Sequence, residues 1–259
     1  MKTVALRWAA RRVCIPALML GLLLSLTTGA QAGAVCPAEP VLPTVALPHL
    51  RAAFEHGSAA IIVALGSSST QGAMASDPAH TYPAVLQSLL SAGLPQGHIA
   101  VLNRGIGGQD ATEELARLDV DVIAVHPQVV IWQVGANGAL RNVDPTIFRG
   151  MVSNGVRRLQ AAGVDVVLMD NQQAPRLLAV PREPLLDEAL AHVAAETGAT
   201  LFSRRALMQA WQHDGVLLAD FIAADGLHHN DRGYLCVAQA LAHSILSGQT
   251  IRPPLTASR

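Results

Sequence analysis

The chain has 259 residues, a formal net charge of -1 and 14% charged residues. That length suits one domain with a sizeable core. The near-neutral balance, with no Lys/Arg cluster beyond the N-terminus, excludes the electrostatic footprint of a nucleic-acid binder. Hydrophobic residues make up 51%, so where they lie decides how the composition is read.

Much of the apolar excess lies at the start. Lys2, Arg7, Arg11 and Arg12 precede an apolar run from Ile15 to Leu26, and Ala30-Gln31-Ala32 supplies small residues at the two positions a signal peptidase reads. Residues 1–32 therefore read as a secretory signal peptide, cut after Ala32. The run falls short of the ~20 residues that span a bilayer. Arg11-Arg12 leaves the general secretory and twin-arginine routes both open. No later apolar run approaches membrane-spanning length, so the expectation is an exported protein, periplasmic or extracellular, with no stable membrane insertion after signal cleavage. Once Cys14 leaves with the signal, Cys36 and Cys236 remain. In an oxidising compartment they either form a disulfide or stay as buried thiols.

Residues 33–48 carry Pro37, Pro40, Pro43 and Pro48 with little periodicity, and read as an extended leader over the domain surface. The folded domain is assigned to 49–259. Within it, strand-like runs at Ile61 to Leu65, Ile99 to Leu102, Val129 to Val134, Val164 to Met169 and Ala199 to Phe202 alternate with helical patterns. The helical patterns cover Tyr82 to Ala92, Ala111 to Leu118, Pro145 to Ala162, Pro184 to Thr197 and Gly233 to Leu246. Near-continuous apolar strands separated by helices predict an α/β fold, a three-layer α/β/α sandwich around a central, mostly parallel five-stranded sheet. Such a sheet places ligand chemistry beyond the carboxyl ends of its strands.

Four loops at those ends carry the candidate chemistry. Gly66-Ser67-Ser68-Ser69-Thr70-Gln71-Gly72 follows the first strand and presents hydroxyls and backbone N–H groups, which suits a nucleophile, a phosphate cradle or a serine-rich helix cap. No Gly-Lys-Ser/Thr follows, so the phosphate reading lacks its lysine. After the second strand, the glycines of Asn103-Arg104-Gly105-Ile106-Gly107-Gly108-Gln109 allow close backbone approach to a ligand. The third strand runs into Gly135-Ala136-Asn137-Gly138, which brings a neutral amide to the same edge. Near the C-terminus, Asp225-Gly226-Leu227-His228-His229-Asn230 sets an Asp three residues before a His, a spacing that lets the carboxylate fix an imidazole tautomer.

Taken together, the four loops resemble the motif blocks of the SGNH (GDSL-type) hydrolases, from Gly66 to His228. The resemblance implies a flavodoxin-like fold and a serine esterase. Ser68 would be the nucleophile, His228 the base and Asp225 its acid. The Ser68 and Gly108 N–H groups and the Asn137 amide would form the oxyanion hole, and neither a metal nor an organic cofactor is implied. Two departures stand out: Ser67 and Gly138 occupy positions where the family usually has Asp. Ser69 is then a competing hydroxyl, and His229 reads as a rim or packing residue. Trp132, Trp211 and Tyr82 read as core side chains before pocket walls. The implied substrate is a small-molecule or carbohydrate ester, with an acetyl group preferred. Acyl transfer to a polysaccharide hydroxyl and a non-catalytic carbohydrate-binding protein of the same fold stand as alternatives.

Overall fold

The structure is a computed structural model that describes residues 35–248 except positions 43 and 96. The segment expected to be a signal peptide lies outside the described residues. Five strands, β1 (Ala60–Gly66), β2 (Ile99–Gly105), β3 (Val129–Gln133), β4 (Asp165–Met169) and β5 (Thr200–Phe202), form one sheet. The order is β2-β1-β3-β4-β5 and every pairing is parallel. The helices are α1 (Pro48–Glu55), α2 (Ser68–Gln71), α3 (Tyr82–Gly93), α4 (Ala111–Ala116), α5 (Leu118–Asp121) and α6 (Ala136–Leu140). They continue with α7 (Pro145–Ala161), α8 (Pro175–Leu178), α9 (Glu183–Thr197), α10 (Arg204–His213) and α11 (Asp231–Gly248).

Strand side chains alternate between two apolar layers, as a pleated strand requires. Ile62, Ala64, Ile131, Val167 and Met169 face a cluster with Leu86 and Leu90 of α3 and Val237, Leu241 and Ile245 of α11. Val63, Leu65, Val130, Trp132 and Leu168 face the other, packed with Phe148, Val152 and Val156 of α7 and Leu186, Leu190 and Val193 of α9. Each fully buried aliphatic or Phe side chain contributes roughly 1.5–3 kcal/mol, so burial on both faces explains why β1, β3 and β4 are apolar along most of their length. Gly155 makes room for the largest of them: a Cβ there would lie 2.5 Å from the Trp132 ring.

The strands lie within a few residues of the positions predicted from hydropathy, with three differences elsewhere. The helix expected from Ala111 to Leu118 breaks at Arg117, whose side chain reaches the Gly66 carbonyl, Gln109 and Asp121. Helices α1, α6, α8 and α10 lie outside the helical patterns read from the sequence. The stretch before α1 does more than cross the surface, since Val45 and Leu47 are buried and the Val45 N–H donates to the Ser244 carbonyl at 3.3 Å. Cys36 and Cys236 form a disulfide with 5.4 Å between their Cα atoms, which ties this stretch to α11. Of the described helices, none is long and apolar enough to cross a membrane.

In this order the chain leaves β1 for β2 on one side and later returns to β3 on the other. The carboxyl ends of β1 and β3 therefore flank the switch point, where open α/β sheets hold their ligands.

Candidate active site

Strand β1 ends at Gly66, and the single-turn helix α2 begins at Ser68. Ser67, Ser69 and Thr70 are buried while Ser68 is partly exposed, so of these hydroxyl residues Ser68 is the one open to solvent. The turn is held from the neighbouring strand. The buried Gln133, last residue of β3, accepts at Oε1 from the Ser67 N–H, the Ser67 hydroxyl and the Thr70 hydroxyl, each at 3.2 Å. On the other side β2 packs directly against α2, because a Cβ on Gly105 would lie 2.0 Å from the Gln71 nitrogen.

The loop before α11 is pinned by an antiparallel bridge between Ile222 and His229 and by the Ala223 N–H donating to the His228 carbonyl at 2.8 Å. Asp225 turns back on the loop, its Oδ1 accepting the N–H groups of Leu227 and His228 at 3.0 Å each. Its Oδ2 lies 2.5 Å from His228 Nδ1. Burial works against the Asp225 carboxylate, but the His228 hydrogen bond and the two N–H donors outweigh it and hold its pKa below the ordinary value. With Nδ1–H donating to Asp225, the other ring nitrogen is left as an acceptor. His228 Nε2 lies 2.7 Å from Ser68 Oγ. Gln172, buried just beyond β4, donates Nε2 to the Leu227 carbonyl at 2.7 Å and supports the loop from beneath.

The loop after β2 lies against the same serine. A Cβ on Gly107 would be 3.9 Å from Ser68 Cβ, whereas one on Gly108 would meet nothing within 4 Å, so the backbone at Gly108 borders open space. Asn137 donates one amide hydrogen to the Gln109 carbonyl at 2.8 Å, and an amide nitrogen has a second to give. Arg141, bridging to Asp110 and Glu113, donates to the Gly108 carbonyl at 2.7 Å. Ser68, Asp225 and His228 thus form one connected line, with Gly108 in the loop after β2 and Asn137 in α6 after β3.

The remaining candidates lie elsewhere. His229 is fully buried, with its Nδ1 3.3 Å from the Phe221 carbonyl and its ring edge-on to Tyr234, and burial pushes its pKa down to about 3. It packs and does not reach the rim. Trp132, Trp211 and Tyr82 are all core residues: Trp132 donates to Glu114 at 2.8 Å, Trp211 stacks on Phe221, and the Tyr82 hydroxyl lies 3.2 Å from that of Thr70. Sequence reasoning missed Gln133, Gln172, Arg117 and Arg141, which hold the loops. The one available signal was a polar residue closing an otherwise apolar strand, as Gln133 does.

The chain matches the non-GDSL lipase-like family over residues 33–251. No match is found among curated proteins. Similar folds occur among solved structures, three of which illustrate the range. A two-domain esterase active on acetylated mannans is 21% identical with a TM-score of 0.69, covering 81% of this chain and 55% of that one. The lipase/acylhydrolase from Enterococcus faecalis is 22% identical with a TM-score of 0.60, covering 72% and 95%. An acetylxylan esterase from Geobacillus stearothermophilus is 21% identical with a TM-score of 0.61, covering 71% and 93%. The Gly66-Ser67-Ser68 turn, without the usual Asp, accords with a lipase-like family set apart from the Gly-Asp-Ser pattern. The chain belongs to the non-GDSL lipase-like family, and it shares its fold with a G-D-S-L family lipolytic protein and with esterases.

Proposed function

We propose that the protein is an exported serine esterase that removes small acyl groups, acetyl foremost, from carbohydrate. The observation that carries this reading is the continuous line from Ser68 Oγ to His228 Nε2 at 2.7 Å and from His228 Nδ1 to Asp225 Oδ2 at 2.5 Å. His228 takes the Ser68 proton as Oγ attacks the ester carbonyl, and Asp225 stabilises the imidazolium. The Ser68 and Gly108 N–H groups and the Asn137 amide receive the oxyanion. Collapse of the tetrahedral intermediate breaks the bond to the alcohol oxygen, which His228 protonates. Water, deprotonated by the same His228, then attacks the acyl-enzyme and releases the acid.

The carbohydrate part of the proposal draws support from the named activities of two fold neighbours, on acetylated mannans and acetylxylan. Export draws on the basic, apolar and small-residue pattern of residues 1–32. The test is acetate release from acetylated xylan and mannan, alongside p-nitrophenyl esters of increasing chain length, by the wild type and Ser68→Ala. The proposal expects acetyl esters to be preferred and the variant to lose activity. Equal rates on long acyl chains would overturn the substrate, and an active Ser68→Ala would overturn the mechanism. Acyl-sugar formed at the expense of free acetate, when an acceptor sugar is added, would identify a transferase.

A further inference from the structure

We propose that Gln133 is a positioning residue for the nucleophile: from the end of β3, its side-chain oxygen sets the turn that aims Ser68 at His228. The proposal rests on reading Ser68 as the nucleophile. Three donors of the Ser67–Thr70 turn converge on Gln133 Oε1, two from Ser67 and one from Thr70, each at 3.2 Å. They bracket Ser68 on both sides in sequence. Gln133 is 1% exposed, Ser67 3% and Thr70 fully buried, so no water competes for that oxygen. A Cβ on Gly66 would meet Thr70 Oγ1 at 2.3 Å and the Gln133 carbonyl and side-chain oxygens at 2.9 Å each, which shows how tightly β1, α2 and β3 close around the turn.

The Ser67 position explains why an amide suits this place. Ser67 brings a hydroxyl and an N–H to the contact, both donors, and Gln133 answers with an acceptor. Ser67 and Gln133 therefore act as a matched donor–acceptor pair between the end of β1 and the end of β3. A shift of about 1 Å in a reacting group costs on the order of 10²-fold in rate, so a loosened turn is felt in the chemical step before it is felt in binding.

The test compares Gln133→Met, which keeps the length of the side chain but loses the acceptor, with Gln133→Glu, which keeps an acceptor oxygen. Both are assayed with p-nitrophenyl acetate at neutral pH for kcat and KM and followed by thermal unfolding. Labelling of the wild type by a serine-reactive phosphonate runs in parallel. The expected result is a kcat 10- to 100-fold lower for Gln133→Met with KM within about twofold, and recovery of most of that loss in Gln133→Glu. Unchanged kcat in Gln133→Met overturns the proposal. So does a parallel loss of folding and activity in both variants, which would make Gln133 a packing residue only. Wild-type protein left unlabelled at Ser68 would instead refute the nucleophile itself, whatever the Gln133 variants do.

Discussion

Asp225 holds His228 at two points: Oδ2 lies 2.5 Å from ring Nδ1, and Oδ1 accepts the His228 backbone N–H at 3.0 Å. The carboxylate thus sets both the tautomer of the ring and the course of the chain that carries it. Replacing Asp225 by Asn leaves a group of the same shape but offers an amide where an acceptor is needed, favouring the tautomer that cannot take the Ser68 proton. We predict that Asp225→Asn lowers kcat by about 10³- to 10⁴-fold, with KM changed little, measured on p-nitrophenyl acetate. A loss under tenfold would show that Asp225 supports the loop without tuning the imidazole.

Asn137 gives one amide hydrogen to the Gln109 carbonyl at 2.8 Å, and we propose that the second goes to the oxyanion. Asn137→Ala removes a donor that acts most strongly as negative charge develops. The expected loss is about 10²- to 10³-fold in kcat. Steady-state kinetics would show it as a fall in kcat at nearly constant KM, and a rise in KM alone would move Asn137 to ground-state binding.

The Cys36–Cys236 disulfide closes a loop across a sequence separation of 200 residues. Its contribution is expected in stability, because neither cysteine touches the Ser68–His228 line. Cys36→Ala should lower the unfolding free energy by about 2–5 kcal/mol, while kcat/KM stays within about twofold. Denaturant titration with and without a reducing agent checks this, and the reduced wild type should match the variant.

Glu114 is fully buried beside Trp132, and burial raises its pKa from 4.5 to about 8. A carboxyl raised in the folded state favours folding while it is protonated. That advantage is full below about pH 4.5 and is lost as pH climbs through 8. Glu114→Gln mimics the neutral acid and keeps an acceptor for Trp132. We predict equal stability of variant and wild type near pH 4, and a variant more stable on the order of a few kcal/mol at pH 9. Thermal melts across pH would reveal it; parallel curves would contradict the assignment.

The fold was legible because strands buried on both faces are apolar along most of their length, which isolates them from amphipathic helices. Helix α10 escaped because its first residue, Arg204, is fully buried and donates to the Asp170 carbonyl at 2.8 Å; an arginine ordinarily marks a solvent face. The loops at the sheet edge were visible as short clusters of small and polar residues. The residues that brace them were not: Gln133 lies 66 positions from Ser67, and Gln172 lies 55 from Leu227. Such contacts come into being only when the strands take their order. The sequence also left Cys36 and Cys236 open between bond and thiol, since pairing depends on where α11 lies.

The most direct test of Ser68 as the nucleophile is covalent labelling by a p-nitrophenyl phosphonate, with the modified peptide mapped by tandem mass spectrometry. We expect one adduct per chain, on Ser68, formed in step with loss of esterase activity and absent from His228→Ala. An adduct on Ser69, or full inactivation with Ser68 unmodified, would contradict the assignment.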